Sequence, residues 1–99
     1  MKNEDFLELV KEGNIVVIDN EAIAICKIWK PKYHNLFVYL YYRKNEDSLM
    51  LFSHFTLTKF NNKKIRLANK RERLMLFEVM FEHGIFVNKK AHTIVGNIF

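Results

Sequence analysis

The side chains of this chain that are best suited to chemistry are cations gathered in one short segment. Residues 59–73 carry seven Lys or Arg against one acidic residue, whereas residues 1–58 sum to a net charge of −1 and residues 74–99 to zero. The overall charge of +5 is therefore local, and it predicts a surface that attracts an acidic partner. We call these seven side chains the basic patch: Lys59, Lys63, Lys64, Arg66, Lys70, Arg71 and Arg73.

Two classes of acidic partner fit the basic patch. A nucleic acid would be held through its phosphates, with an affinity that falls steeply as salt rises, and Phe60 within the segment could stack on a base. An acidic protein surface would use the same charges, and a merely solvated surface is the third interpretation. Lys70 and Arg71 stand in the first turn of a predicted helix, where cations are unfavourable and a bound anion would relieve them. We take the acidic protein surface as the leading hypothesis and nucleic acid as the alternative.

An aromatic strand is the second candidate for partner contact. Alternation predicts that Phe37, Tyr39 and Tyr41 share one face of this strand, and that residues 36, 38, 40 and 42 share the other. Exposed tyrosines would anchor a protein or stack on bases, whereas the more common arrangement buries the rings and leaves the hydroxyls at the rim. Tyr39 and Tyr41 therefore join Phe60 as candidate aromatic contacts.

Patterns typical of catalysis or metal binding are weak in this sequence. Cys26 and His54 are the one nucleophile and base that neighbouring strands could bring together, and both lie in apolar strands, where a Cys is usually inert. The four histidines and the single cysteine lack the paired spacing of zinc ligands. Three isolated glycines cannot form a phosphate-binding loop. We expect no enzymatic activity, no metal site and no cofactor.

Length and composition predict one domain spanning residues 1–99. Nearly half of the residues are apolar and 14% are aromatic, which is enough for a hydrophobic core at this size. A single cysteine excludes an internal disulfide and fits a reducing compartment. The N-terminus is too acidic for a signal peptide, and no apolar run approaches the ~20 residues of a membrane span. We therefore expect a cytoplasmic protein with no membrane contact.

The residue pattern predicts an α+β fold with a twisted antiparallel sheet of four strands, or a small open barrel. A short helix is expected over residues 3–12, followed by strands over 15–18, 22–29, 36–42 and 49–57. Residues 65–68 are read as an extended lead into the main helix at 69–83, where Asn69 and Glu72 have the spacing of a capping box. Residues 85–87 and 93–95 predict a C-terminal hairpin around Asn88-Lys89-Lys90.

The segment 66–87 also resembles a short module with the pattern R-[LP]-A-T-x-x-E-[KR]-x-x-L-F-x-x-[LM]-x-x-x-G-x-x-[WF]. That module recurs in small uncharacterised proteins of Bacteroidetes bacteria, their phages and their mobile elements. Asn69 replaces the usual Thr cap, and Val87 stands where an aromatic residue is commoner. The matching residues are Arg66, Leu67, Ala68, Glu72, Arg73, Leu76, Phe77, Met80 and Gly84.

Most positions of the module are a cap, a core stripe and a helix stop, so the resemblance implies a genetic setting more than an activity. It implies an accessory protein of a phage or mobile element. Some proteins of this kind act on host defence or replication. Together with the basic patch, it predicts a small non-enzymatic binding module that modulates or inhibits an acidic partner. A free sheet edge or the apolar tail at residues 94–99 leaves a homodimer open as well.

Overall fold

The computed structural model describes residues 3–58, 64–88 and 93–96, which form an α+β arrangement of two helices and an antiparallel sheet. The elements, in chain order, are α1 (Asn3–Leu9), β1 (Ile15–Ile18), β2 (Ala22–Lys30), a 3-10 turn (Pro31–Tyr33), β3 (Asn35–Arg43), β4 (Ser48–Thr56), β5 (Ile65–Leu67), α2 (Lys70–Glu82), β6 (Ile85–Asn88) and β7 (Thr93–Gly96).

The main sheet has five strands rather than the four that the sequence predicts. Its order is β4-β3-β2-β1-β5, with every neighbouring pair antiparallel, and it is open rather than closed into a barrel. The additional strand is β5, whose residues the sequence pattern predicts to be an extended lead into the main helix. Ile65 pairs with Ile18 and Leu67 with Val16, so β1 completes its second ladder with a segment 47 to 51 positions away. The three residues of β5 are too few to show a strand pattern. Their pairing also depends on the edge of β1 that β2 leaves free, which is not apparent from the local sequence.

The end of the described chain forms a separate two-stranded ladder. β6 pairs antiparallel with β7, with Ile85 opposite Gly96 and Asn88 opposite Thr93. Of the turn predicted around Asn88-Lys89-Lys90, residues 89 and 90 lie outside the described residues. The apolar tail at residues 94–99 is described only as far as Gly96.

The central strands of the main sheet are buried on both faces, with one helix on each side. On one face Val16, Ala24 and Cys26 form a core cluster with Val10, which follows α1. On the other face Val17, Ile23 and Leu40 form a second cluster with residues of α2. The buried helix residues in this second cluster are Leu76 and Met80. A strand with helices on both sides must be apolar on both faces, which explains the continuous apolar run of β3.

The alternation predicted for β3 is interrupted in its middle. Leu36, Val38 and Tyr41 belong to the cluster beneath α1, whereas Leu40 and Tyr42 belong to the cluster beneath α2. The even-numbered residues therefore change face after Val38, so the prediction of one unbroken alternation was wrong. The cause is an unpaired Tyr39, because Leu40 pairs with Ile25 and Val38 with Cys26, the next residue of β2.

The same change of face crosses all three neighbouring strands along one line. In β2 Lys27 is unpaired, as Tyr39 is in β3. Before Lys27 the even-numbered Ala24 and Cys26 pack on the α1 side, whereas after it the odd-numbered Trp29 does. In β4 Leu51 packs on the α2 side and Phe55 on the α1 side. Between them Phe52 has a left-handed backbone, with φ of 51°. Each of the three strands thus changes face at the same position along the sheet.

Helix α1 ends at Leu9, three residues before the predicted end. The Nδ2 atom of Asn14 donates to the carbonyl oxygens of Glu8 at 2.9 Å and Leu9 at 3.2 Å, and so satisfies the last carbonyls of the helix. Gly13, at φ 89°, then donates its N–H to the carbonyl oxygen of Cys26, which joins this turn to β2. The sequence pattern could not predict this helix end, because the Asn14 side chain reaches back five and six residues to the carbonyl oxygens that it satisfies.

The backbone of Phe52 predicts a stabilising substitution. Phe52 is 65% exposed, so its ring contributes little burial, while a bulky residue in the left-handed region costs about 1–2 kcal/mol. Asn tolerates this region well, and we expect Phe52→Asn to raise the free energy of unfolding by about 0.5–1 kcal/mol. Urea denaturation measures the change. Phe52→Ala is the matched control, because it also removes the ring but lacks the polar side chain that makes Asn tolerant of this region. An equal gain with Ala would contradict the backbone explanation.

Candidate binding surface

The start of α2 is organised around the carboxylate of Glu72. The side chain of Asn69 accepts a hydrogen bond from the Glu72 N–H at 2.8 Å, and the Glu72 carboxylate accepts one from the Asn69 N–H at 3.0 Å. This reciprocal pair is the capping box that the sequence predicts, and the structure confirms it. The helix begins at Lys70 because these two side chains satisfy backbone groups that a helix start leaves free.

Arg66 reaches the same carboxylate from β5. Its two terminal nitrogens donate to the two Glu72 oxygens at 2.7 and 2.9 Å, and its Nη2 and Nε also donate to the side chain of Asn20. The Nζ of Lys44 lies 3.7 Å from the same carboxylate. Glu72 is only 7% exposed, so its charge is held by these cations and by the cap. The hydrogen bonds from Arg66 lower the pKa of Glu72 to about 2, although burial opposes the shift.

The structure divides the basic patch into two groups with different roles. Arg66 is occupied by Glu72 and Asn20, and Arg73 donates to the carbonyl oxygen of Ala68 at 2.7 Å. These two arginines therefore hold β5 against the start of α2. Lys64, Lys70 and Arg71 are exposed, and their side chains make no hydrogen bond or ion pair among the interactions found in the described residues. Lys59, Lys63 and Phe60 lie outside the residues that the structure describes.

Each of the three exposed cations borders an apolar surface. A groove of about 630 Å³ runs beside Lys64, and its apolar lining includes Phe6, Leu57 and Ile65. A second, shallower depression of about 510 Å³ lies on α2 beside Lys70 and Arg71. Its other lining residues are Leu74, Met75 and Glu78. The free positive charges are thus mixed with apolar side chains rather than spread over a uniformly polar face.

The two tyrosines named by the sequence differ in their accessibility. Tyr41 is 9% exposed and packs its ring on Phe55, with centroids 4.9 Å apart, so it belongs to the core and not to a partner surface. Tyr39 is half-buried, and its hydroxyl donates to the Glu12 carboxylate at 2.9 Å. The Nζ of Lys27 lies 5.8 Å from the Tyr39 ring. Neither ring lies in a described contact with the basic patch.

Lys44 is a cation of this surface that sequence reasoning missed. It stands in the turn after β3, 28 positions before Glu72, so the net charge counted over residues 59–73 does not include it. No local signal could have revealed it, because the pairing of β3 with β2 and of β1 with β5 brings this turn to the start of α2. Three-dimensional proximity therefore extends the positive surface beyond the segment that the sequence identifies.

Cys26 and His54, the imagined nucleophile and base, are held apart. Cys26 is fully buried on β2, and burial raises the pKa of its thiol to about 12. His54 is exposed on β4, where its ring stacks on Phe37 at 5.3 Å, and β3 lies between the two strands. Across residues 3–58, 64–88 and 93–96, no group of three His, Cys, Asp or Glu side chains is arranged to hold a metal ion.

Comparisons with known proteins do not assign this chain to a family. No protein-family pattern, curated protein or solved structure matches the chain. Within the part of the chain that the structure describes, neither helix is long and apolar enough to span a membrane.

Proposed function

We propose that this chain is a small binding module that docks an acidic protein surface and modulates or inhibits that protein without catalysis. The observation that carries the proposal is the position of Lys64, Lys70 and Arg71. Each is exposed, each lacks an acidic partner within the described interactions, and each borders an apolar depression. Charges of this kind accelerate encounter with an acidic surface, and adjacent apolar side chains then add short-range affinity.

The mixture of charge and apolar surface is what favours a protein partner over a nucleic acid. A phosphate backbone binds cations strongly but interacts little with aliphatic side chains beside them. Protein interfaces, by contrast, combine an apolar centre with a polar rim. Nucleic acid remains the alternative because residues 59–73 concentrate seven cations that could follow a phosphate backbone. The structural use of Arg66 and Arg73 weakens this alternative, since both guanidinium groups already donate to groups within the chain.

The setting of this function is part of the proposal. The resemblance of residues 66–87 to a module of Bacteroidetes phages and mobile elements supports an accessory protein acting in the cytoplasm of a bacterial host. We further propose that residues 1–99 act as one unit and need no metal or cofactor. A stoichiometric mechanism follows: the module covers an acidic surface and competes with whatever normally contacts it.

A charge-reversal experiment tests the proposed function. We expect Lys64→Glu, Lys70→Glu and Arg71→Glu together to weaken binding to polyglutamate, used as an acidic polypeptide probe, by at least about tenfold. These three sites avoid Arg66 and Arg73, so the fold should persist. Binding is followed by fluorescence anisotropy at about 50 and about 200 mM salt, with single- and double-stranded DNA and RNA oligonucleotides in parallel.

The matched control reverses Lys27, Lys30 and Lys32, three exposed lysines outside the basic patch. It changes the net charge equally and should alter binding by less than about threefold. Equal losses in both triple variants would show that only net charge matters and would overturn the proposal. Tighter binding of oligonucleotides than of polyglutamate at both salt concentrations would replace it with the nucleic-acid alternative.

A further inference from the structure

Helix α2 carries apolar side chains on the side that faces away from the core. Leu76 and Met80 are buried against the sheet, yet Leu74 is 57% exposed, and Phe77, about 100° from Leu76 and so on the flank of the helix, is 40% exposed. At about 100° per residue, Leu74 lies about 200° from Leu76 around the helix axis and so points almost directly outward. A helix that is apolar on both sides is normally covered on both sides. Within the described residues, the outward side of α2 is not.

The charges of α2 are also arranged against its own dipole. Lys70 and Arg71 occupy the positive N-terminal turn, Glu82 occupies the negative C-terminal turn, and no basic residue stands in the last turn. Glu78 lies one turn before Glu82, so two like charges are adjacent at this end. Each of these placements is unfavourable in an isolated helix. Glu72 is the exception, but its charge is already engaged by the cap and by Arg66.

A second copy of α2 placed antiparallel would correct both mismatches. Its C-terminal turn would bring Glu78 and Glu82 beside Lys70 and Arg71 of the first copy, and a two-fold axis would repeat the same contacts at the other end. Leu74 lies between the two charged ends and would meet its own counterpart near the axis, with Phe77 at the edge of the contact. The dipoles of the two helices would then oppose each other, which is favourable for neighbouring antiparallel helices.

We infer that the outward face of α2 is the self-association surface of this protein, and that its occupant is a second copy of the same chain. The charge pattern decides the occupant, because one face offers both the cations and the carboxylates that the opposing face requires. The contact is small: α2 has 13 residues, so it is about 20 Å long. Such a contact buries less than a standard interface, and it produces a weak dimer in exchange with the monomer.

This dimer has a consequence for the basic surface. Lys70 and Arg71 are shared by the dimer contact and by the proposed acidic partner. Lys64 immediately precedes β5 and lies outside α2. An acidic partner and a second copy therefore compete for the same two cations. The dimer does not depend on the proposed function, since it follows from the charge and apolar pattern of α2 alone.

A complementary pair of variants tests the inference. The acidic variant carries Lys70→Glu with Arg71→Glu, and the basic variant carries Glu78→Lys with Glu82→Lys. Both sets of changes suit the helix dipole better than the native residues, so both variants should fold. Sedimentation velocity over a concentration series should show the native chain approaching a dimer, and each variant alone associating at least about tenfold more weakly. An equimolar mixture of the two variants should recover association at least as strong as that of the native chain.

Two controls keep the result specific. Lys27→Glu with Lys30→Glu makes the same charge change outside α2 and should leave self-association unchanged. Leu74→Gln should weaken association by at least about tenfold without changing the free energy of unfolding. A native chain that stays monomeric at about 1 mM, or a variant mixture that stays monomeric, would overturn the inference. Lys64→Glu weakens only polyglutamate binding, so failure of the proposed function and failure of the dimer are distinguishable.

Discussion

The Glu72→Gln variant should unfold about 2 kcal/mol more easily than the native protein at pH 7. A carboxyl whose pKa falls from 4.5 to about 2 on folding contributes about 3 kcal/mol at neutral pH. Solvent around the exposed guanidinium of Arg66 reduces this to about 2 kcal/mol. Gln can still accept from the Asn69 N–H, so the substitution removes the charge while it preserves the cap. Urea denaturation at pH 7 measures the difference.

The same variant should lose its disadvantage in acid. Because the pKa of Glu72 is lowered by folding, its contribution is complete above pH 4.5 and is lost as the pH falls toward about 2. The stability difference between the native protein and Glu72→Gln should therefore close across that window, whatever other carboxylates do, since they are common to both proteins. Glu78→Gln is the control, because Glu78 is exposed on the same helix. A difference that is constant from pH 7 to pH 2 would contradict the role assigned to the ion pair.

Leu76→Ala should be the most destabilising of the substitutions considered for α2. Leu76 is fully buried between the helix and the sheet, in one cluster with Val17, Ile23 and Leu40. Truncating a buried Leu removes its burial and leaves a cavity that the surroundings fill only partly, at a cost of about 2.7–5 kcal/mol. The value should lie in the upper half of that range, because the neighbouring strands are fixed by ladders on both sides. Chemical denaturation gives the free energy directly.

Leu74→Ala is the matched control for that loss, because it makes the same chemical change two positions away on the outward side. With Leu74 57% exposed, the monomer should change by less than about 0.5 kcal/mol. The pair must be compared at low protein concentration, where the dimer does not contribute. Similar losses at the two positions would mean that another part of the chain covers the outward side of α2, and they would count against its role in self-association.

Features set by neighbouring residues were the ones that could be predicted from the sequence. The capping box needs only Asn69 and Glu72 at a spacing of three, and the structure places the start of α2 where that spacing predicts. The strands β1 to β4 were predicted to within one residue at each end, since β-branched and aromatic runs bounded by polar turns carry this information locally. The α+β class follows from the order of these elements.

Features set by distant residues could not be predicted in the same way. Arg66 was assigned to a partner surface, but the pairing of β5 with β1 carries it to Glu72, where it becomes structural. Leu74 and Phe77 are apolar, like Leu76 and Met80 on the same predicted helix, yet the core accepts only the side of α2 that includes Leu76 and Met80. Periodicity shows which residues share a face, but it does not show how much of that face the sheet can cover.

The line of interrupted alternation through Lys27, Tyr39 and Phe52 has a consequence for how such a chain can change during evolution. Tyr39 has no partner in β2, so removing it alone would keep Val38 opposite Cys26 and Leu40 opposite Ile25 and leave their side chains in the same helix layers. The removal would instead leave Phe52 of β4 without a counterpart, because Val38 pairs with Ser53 and Leu40 with Leu51 on either side of it. A matching removal of Phe52 would restore a regular ladder, so related chains should lose or keep these two residues together.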